Sequence, residues 1–358
     1  MIWSLEFDRD EGMSDKPCVI FVHGIKGGQL RNKQDKKIWL RLIDLFSNRD
    51  TGLSSPIEWE DGLQKKDGAK SDGPIKKILW KPVYAPFLSG MKRKGWRIFN
   101  FNHDWRRDQL EIASELIEYI NQITDQYGSP LLVAHSNGGI ISDLAIRNGA
   151  CKIRGILYAG VPFGSGVSFL PDMTHGEQVL RNRMIGDAMV HFSWAAPWTY
   201  FPLSDATSRL LDEQSSPMTH DWYSVSSWAE HGLGPFFQNS DLSDKQLSHM
   251  ENALHRAKEI RELIESPWPE GHLKPPIFVL RSGDHDTPAA YKLENGEWNI
   301  KNPVMKNGDG RILFESALPP YDIEADYLTP NGHGALLNNV NQIDMVLNAM
   351  ATALPLQA

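Results

Sequence analysis

Short, almost uninterrupted apolar runs alternate along this chain with longer stretches whose apolar residues recur every three to four positions. The runs Lys16-Pro17-Cys18-Val19-Ile20-Phe21-Val22-His23-Gly24, Trp96-Arg97-Ile98-Phe99-Asn100-Phe101, Leu131-Leu132-Val133-Ala134 and Ile153-Arg154-Gly155-Ile156-Leu157-Tyr158-Ala159 predict strands buried on both faces, as in a parallel sheet. Leu110, Ala113, Leu116, Ile117, Ile120 and Ile123 predict a helix that Gly128 stops, and a second helix is predicted from Asn137 to Asn148. Strand and helix in regular alternation imply an α/β fold, mostly parallel in its central sheet and flanked by helices.

Two segments interrupt the alternation. Residues 28–73 hold an amphipathic stretch with Ile38, Trp39, Leu42, Ile43 and Phe46, followed by a polar Gly/Lys/Asp-rich tract that predicts an exposed loop. From 165 to 268 regular strands disappear and aromatic residues gather, among them Phe169, Trp194, Trp198, Tyr200, Phe201, Trp222 and Trp228. This predicts an inserted helical cap, whose aromatics either face the site as apolar surface or form the insertion's own core. The expected α/β core is then 14–164 with 269–358. The sheet resumes at Pro276-Ile277-Phe278-Val279-Leu280, Tyr291 to Ile300 alternates around Asn295-Gly296 as a hairpin does, a last strand is expected within 322–328, and a terminal helix within 335–354.

The most informative junction is Leu131-Leu132-Val133-Ala134-His135-Ser136-Asn137-Gly138-Gly139, a strand that runs into a serine and then into a helix. This is the pattern of a nucleophile elbow, a strained turn that leaves room only for small residues two before and two after the serine. Ala134 and Gly138 meet that requirement, and Ser136 is the expected nucleophile. A serine hydroxyl needs a general base, and the base needs an orienting carboxylate. His333, in Asn331-Gly332-His333-Gly334 between the last strand and helix, is the expected base; His285 and His272 are weaker alternatives, while His23 and His135 are expected to shape the site. On order along the chain alone, Asp284, Asp286 and Asp309 all qualify as the acid. The expected oxyanion donors are the backbone N–H groups of Asn137, at a helix N-terminus, and Ile25, in the Gly24-Ile25-Lys26-Gly27-Gly28 turn. That turn lacks the Gly-Lys-Ser/Thr ending of a phosphate-binding loop. Asp284-His285-Asp286 without matching distant ligands is weak as a metal site. No metal and no cofactor are expected.

These residues resemble the lecithin:cholesterol acyltransferase-like family of the α/β-hydrolase superfamily, which includes lysosomal phospholipase A2 and phospholipid:diacylglycerol acyltransferase. The likeness rests, in order, on His23-Gly24-Ile25-Lys26-Gly27-Gly28-Gln29-Leu30, Asp104-Trp105-Arg106, Ala134-His135-Ser136-Asn137-Gly138-Gly139, Gly160-Val161-Pro162-Phe163-Gly164, Thr287-Pro288, Gly308-Asp309-Gly310, and His333 with Leu336-Leu337. The resemblance implies the α/β-hydrolase fold and Asp309 as the acid of a Ser-Asp-His triad. Arg311-Ile312 follows the Gly-Asp-Gly where the family usually has Thr-Val, and the signal peptide and cysteine pairs of extracellular members are missing. Asp104-Trp105-Arg106 reads as structural, an ion pair with indole packing beneath the site.

Composition narrows the picture further. Of 358 residues, 41% are hydrophobic and 23% charged, with no apolar run long enough for a membrane span. The net charge of −8 disfavours nucleic acid as a partner. Cys18 and Cys151, the two cysteines, are expected to be buried and unpaired, and Met1 to Glu11 has neither the basic start nor the apolar core of a secretory signal, so the expected location is cytoplasmic. Together these features predict a serine hydrolase or acyltransferase that acts on carboxylic, lipid-like esters, with transient lipid-surface contact through the cap. The alternative is a catalytically silent α/β-hydrolase fold that binds a ligand or a protein.

Overall fold

The continuous apolar runs become the strands of one parallel sheet. A computed structural model describes residues 16–150, 152–203, 209–239 and 241–353; Cys151, Met1 to Glu11 and the end of the terminal helix expected to reach Leu354 lie outside the described residues. The strands are β1 (Val19–Val22), β2 (Ile98–Phe101), β3 (Leu131–His135), β4 (Gly155–Ala159), β5 (Ile277–Arg281) and β6 (Ala325–Leu328), in the order β6-β5-β4-β3-β1-β2. Every neighbouring pair is parallel, with Val22 opposite Ala134 and His135 opposite Ala159. β1, β3 and β4 are buried along their whole length, which explains why they read as unbroken apolar runs rather than as alternation.

The five longer helices are α1 (Ala85–Arg93), α2 (Gln109–Tyr127), α3 (Asn137–Arg147), α4 (Asp244–Glu265) and α5 (Val340–Thr352). Ile20, Val22, Leu132 and Ala134 face Ile112, Leu116, Ile140, Leu144 and Ile260, so α2, α3 and α4 cover one side. Val19, Phe21, Leu131 and Val133 face Phe87, Met91, Ile343 and Leu347, so α1 and α5 cover the other. Successive strand side chains thus enter opposite layers of an α/β-hydrolase fold. Asp108 caps α2 by accepting from the Glu111 N–H at 2.9 Å, and Gly128, at φ +78°, ends it.

The chain departs from its pattern in three places. Residues 28–74 contain a three-stranded antiparallel sheet, Gly28–Arg31 between Lys37–Trp39 and Lys70–Pro74, where an amphipathic stretch and an open loop are expected. Its strands are too short, and register shifts interrupt them, so no period of two is visible. The expected terminal helix splits into a 3-10 turn, His333–Asn338, and α5, because the Asn339 side chain caps a new start by accepting from the Gln342 N–H. Between Gly164 and Trp268, Trp194, Trp198, Phe201, Trp222 and Trp228 are buried against one another, and they share a cluster with Leu30, Trp39, Leu53 and Trp105. These five aromatics are core, and the two interrupting segments share it.

Candidate active site

The site is assembled where β1 and β3 end. Ser136 sits between β3 and α3 at φ +56° and ψ −127°, a conformation that costs a non-glycine residue energy and is held by its surroundings. Its N–H donates to Ala159 O at 2.9 Å. A Cβ on Gly138 would stand 2.4 Å from Val22 O, and one on Gly24 would stand 2.7 Å from the Ser136 Cβ. Any larger side chain at these two positions would push the β1 end away from the serine.

Ser136 Oγ lies 2.9 Å from His333 Nε2, and His333 Nδ1 lies 2.8 Å from Asp309 Oδ2. Nδ1–H therefore donates to the carboxylate, which leaves Nε2 to accept the serine proton. The other carboxylate oxygen, Oδ1, accepts from the Arg311 and Ile312 N–H groups at 2.9 and 2.7 Å. Burial pushes the Asp309 carboxyl upward, but the His333 ring, its hydrogen bond and those two N–H groups outweigh burial and hold it below the usual carboxylate value. His333 N–H also donates to Asp309 O at 2.7 Å, so backbone as well as side chain joins the two loops.

The other candidates are not brought into this arrangement. Asp284 and Asp286 are exposed on the antiparallel excursion after β5. His285 Nε2–H donates to Pro330 O at 2.9 Å and so backs the loop before His333, while His272 Nδ1–H donates to Arg147 O at 3.0 Å. Asp104 and Asp67 hold the buried Arg106 guanidinium at 2.7 and 3.0 Å, and the Trp105 indole N–H donates to Gly28 O at 2.8 Å.

Ile25, Ser136, His135 and His333 border one cavity of about 200 Å³ whose walls include Phe169, Tyr200 and Leu313. Asn137 is fully buried, and its side-chain oxygen accepts from Gln109 Nε2 at 2.9 Å. Among the described residues, the backbone N–H groups of Ile25 and Asn137 have no acceptor. Two preorganised donors without partners beside a serine hydroxyl suit a developing oxyanion.

One connection has no signature in the sequence. Gly24 N–H donates to Tyr84 Oη at 3.4 Å, Tyr84 O–H donates to His135 Nδ1 at 2.8 Å, and His135 Nε2–H donates to His333 O at 2.9 Å. The carbonyl acceptor fixes the tautomer. Burial, reinforced by His333, lowers the His135 pKa to about 3, so the ring stays neutral. A neutral strut thereby ties the Gly24 turn to the His333 loop through Tyr84, a residue unremarkable in its sequence context.

A second group, Asp172, Glu177 and His191, brings its ligand-type atoms within 4.8 Å of one another. Lys26 Nζ stands 2.6 Å from Glu177 Oε2 and 3.6 Å from Asp172 Oδ2, and Arg311 lies 3.6 Å from Asp172. The acidic charge is already met by side-chain cations, so the group acts as an ion cluster that ties Lys26 to residues 172–177.

Several buried histidines carry a consequence for stability. Burial lowers His23 and His249 to about 4, and His220 to about 3. With unfolded values near 6.5, the unfolded chain binds more protons than the folded one between pH 4 and 6.5. The stability these rings and His135 contribute is thus complete above pH 6.5 and drains away as pH falls toward 4. Urea unfolding at pH 5 should take up about two to four protons; equal urea midpoints at pH 7 and pH 5 would contradict the burial of these rings.

No protein-family model matches the chain. An uncharacterized protein of Saccharomyces cerevisiae is 22% identical over 223 residues, which cover 61% of this chain and 34% of the relative. The match thus spans about a third of that relative's length. Among solved structures, one in the Tle4-Tli4 complex is similar to this chain with a TM-score of 0.56 at 12% identity, over 95% of this chain and 98% of that one. The mature form of Bacillus licheniformis lipase BlEst2 gives a TM-score of 0.41 at 14% identity, over 96% of this chain and 95% of that one.

Proposed function

We propose that the chain is a serine hydrolase or acyltransferase that acts on carboxylic, lipid-like esters through an acyl-enzyme on Ser136. The observation that carries this reading is the unbroken line Ser136 Oγ, His333, Asp309, with both bonds under 3 Å. His333 Nε2 takes the proton as Ser136 Oγ attacks the ester carbonyl, and Asp309 stabilises the imidazolium that forms. The N–H groups of Ile25 and Asn137 receive the carbonyl oxygen as it becomes negative. His333 then returns the proton to the leaving alcohol, and the cycle repeats with water or a second alcohol as nucleophile. Hydrolysis and acyl transfer differ only in that last acceptor.

The lipid-like acyl group rests on the walls supplied by Phe169, Tyr200 and Leu313, and on the resemblance to the lecithin:cholesterol acyltransferase-like family. The proposed chemistry calls for no cofactor. No helix among the described residues is long and apolar enough to cross a membrane.

A fluorophosphonate probe tests the chemistry directly, because it needs an activated serine. The expected result is a single adduct on the Ser136 peptide, lost in Ser136→Ala and in His333→Ala. Failure of the folded, unaltered protein to react would turn the assignment toward a silent binding fold.

A further inference from the structure

We propose that the hairpin around Trp80, together with the Leu42–Phe46 turn, docks the protein on an anionic phospholipid surface. The hairpin pairs Lys77–Ile78 with Lys81–Pro82, and Leu79 at its tip is at φ +53°. That backbone is unfavourable for leucine and leaves Trp80 86% exposed. The neighbouring turn exposes Leu42, Ile43 and Phe46 by 58%, 65% and 55%. One cleft is lined by Leu40 and Leu42 together with Ile75, Ile78 and Leu79, so the turn and the hairpin lie side by side.

The charge around this face selects its partner. Lys76, Lys77 and Lys81 are exposed, and among the described residues none has a carboxylate within 4 Å. The carboxylate of the turn itself, Asp44, is buried against Arg41 at 2.6 Å. Three unpaired lysines thus ring an apolar tip on a chain whose net charge is −8. An indole and aliphatic side chains on a protruding turn suit the headgroup boundary of a bilayer, where the lysines meet anionic lipid.

The stem connects this face to the site. Ile75 N–H donates to Gly27 O at 2.8 Å, Tyr84 N–H donates to Ile75 O at 3.2 Å, and Val83 and Tyr84 border the cavity that holds Ser136. Docking the tip brings the cavity wall toward lipid. The lipid binding does not depend on the role assigned to Ser136; only its benefit to turnover rests on the proposed chemistry.

The test is co-sedimentation of the full chain with vesicles of diether phosphatidylcholine, alone or with a third of the lipid as diether phosphatidylserine; ether links remove hydrolysis from the readout. The unaltered protein is expected to bind the phosphatidylserine vesicles preferentially. Leu79→Ser with Trp80→Ser should weaken binding by at least about tenfold. The triple change Lys76→Ser, Lys77→Ser, Lys81→Ser should weaken it by about a hundredfold and erase the preference. Equal binding to both vesicles, binding that survives both sets of substitutions, or no binding at all overturns the proposal. So does binding to polyglutamate without binding to vesicles, which would give the face to an acidic polypeptide. Fluorophosphonate labelling of the same surface variants separates a failure of docking from a failure of the catalytic reading.

Discussion

Ser136→Ala and His333→Ala should each slow ester turnover by roughly 10⁵, and the double variant should be no slower than either single one. The reason lies in the 2.9 Å contact between Ser136 Oγ and His333 Nε2. Once the hydroxyl is gone the base has no proton to take, and once the base is gone the hydroxyl stays weak, so the second loss has nothing left to remove. Both variants should keep the folded state, since neither side chain lies within the sheet layers. Steady-state kinetics on a short-chain ester would measure this. Turnover within tenfold of the unaltered protein in Ser136→Ala, or strictly multiplicative losses in the double variant, would place the nucleophile elsewhere.

Asp309→Asn should lower kcat by about 10⁴, whereas Asp284→Asn and Asp286→Asn should leave it within about twofold. The asparagine oxygen can still accept from the Arg311 and Ile312 N–H groups, so the loop should keep its course. Its amide would then face His333 Nδ1 and donate to it, which forces the ring proton onto Nε2. In that tautomer His333 cannot accept the serine proton. The expected signature is therefore a collapse of kcat with KM little changed. A comparable collapse in Asp286→Asn, with Asp309→Asn active, would exchange the acids.

The elbow was legible because its constraint is local. Ala134, Ser136 and Gly138 satisfy a steric rule within five residues, and the structure puts them at the end of β3 with Gly138 against Val22 O. The parallel strands were legible for a similar reason, since burial on both faces leaves unbroken apolar runs. The choice among three aspartates was not legible in chain order, and only the family resemblance pointed to Asp309, because it depends on how the strand His285–Glu294 folds back against Val304–Gly308. That pairing carries Asp286 into solvent and Asp309 inward. Tyr84 was invisible because its partners Gly24 and His135 are 60 and 51 residues away. The small sheet in residues 28–74 was missed because its register shifts erase alternation. The aromatics between Phe169 and Phe237 announced a hydrophobic mass, but composition cannot say which way a ring faces; of the rings singled out there, Phe169 and Tyr200 border the cavity.

That buried aromatic mass determines how the entrance behaves. Trp194 meets Trp105 edge to face at 5.0 Å, Trp39 meets Trp105 at 5.8 Å, and Trp194 N–H donates to Leu53 O. Swinging residues 165–268 away as one body would wet several indoles at about 2 to 3 kcal/mol each, and would also break the Lys26–Glu177 ion pair. The segment that brings Phe169 and Tyr200 to the cavity is consequently anchored to the rest of the fold rather than hinged on it. On the acyl chemistry proposed above, chain-length preference would be set by fit against walls that do not move, and its redesign belongs at Phe169 and Tyr200.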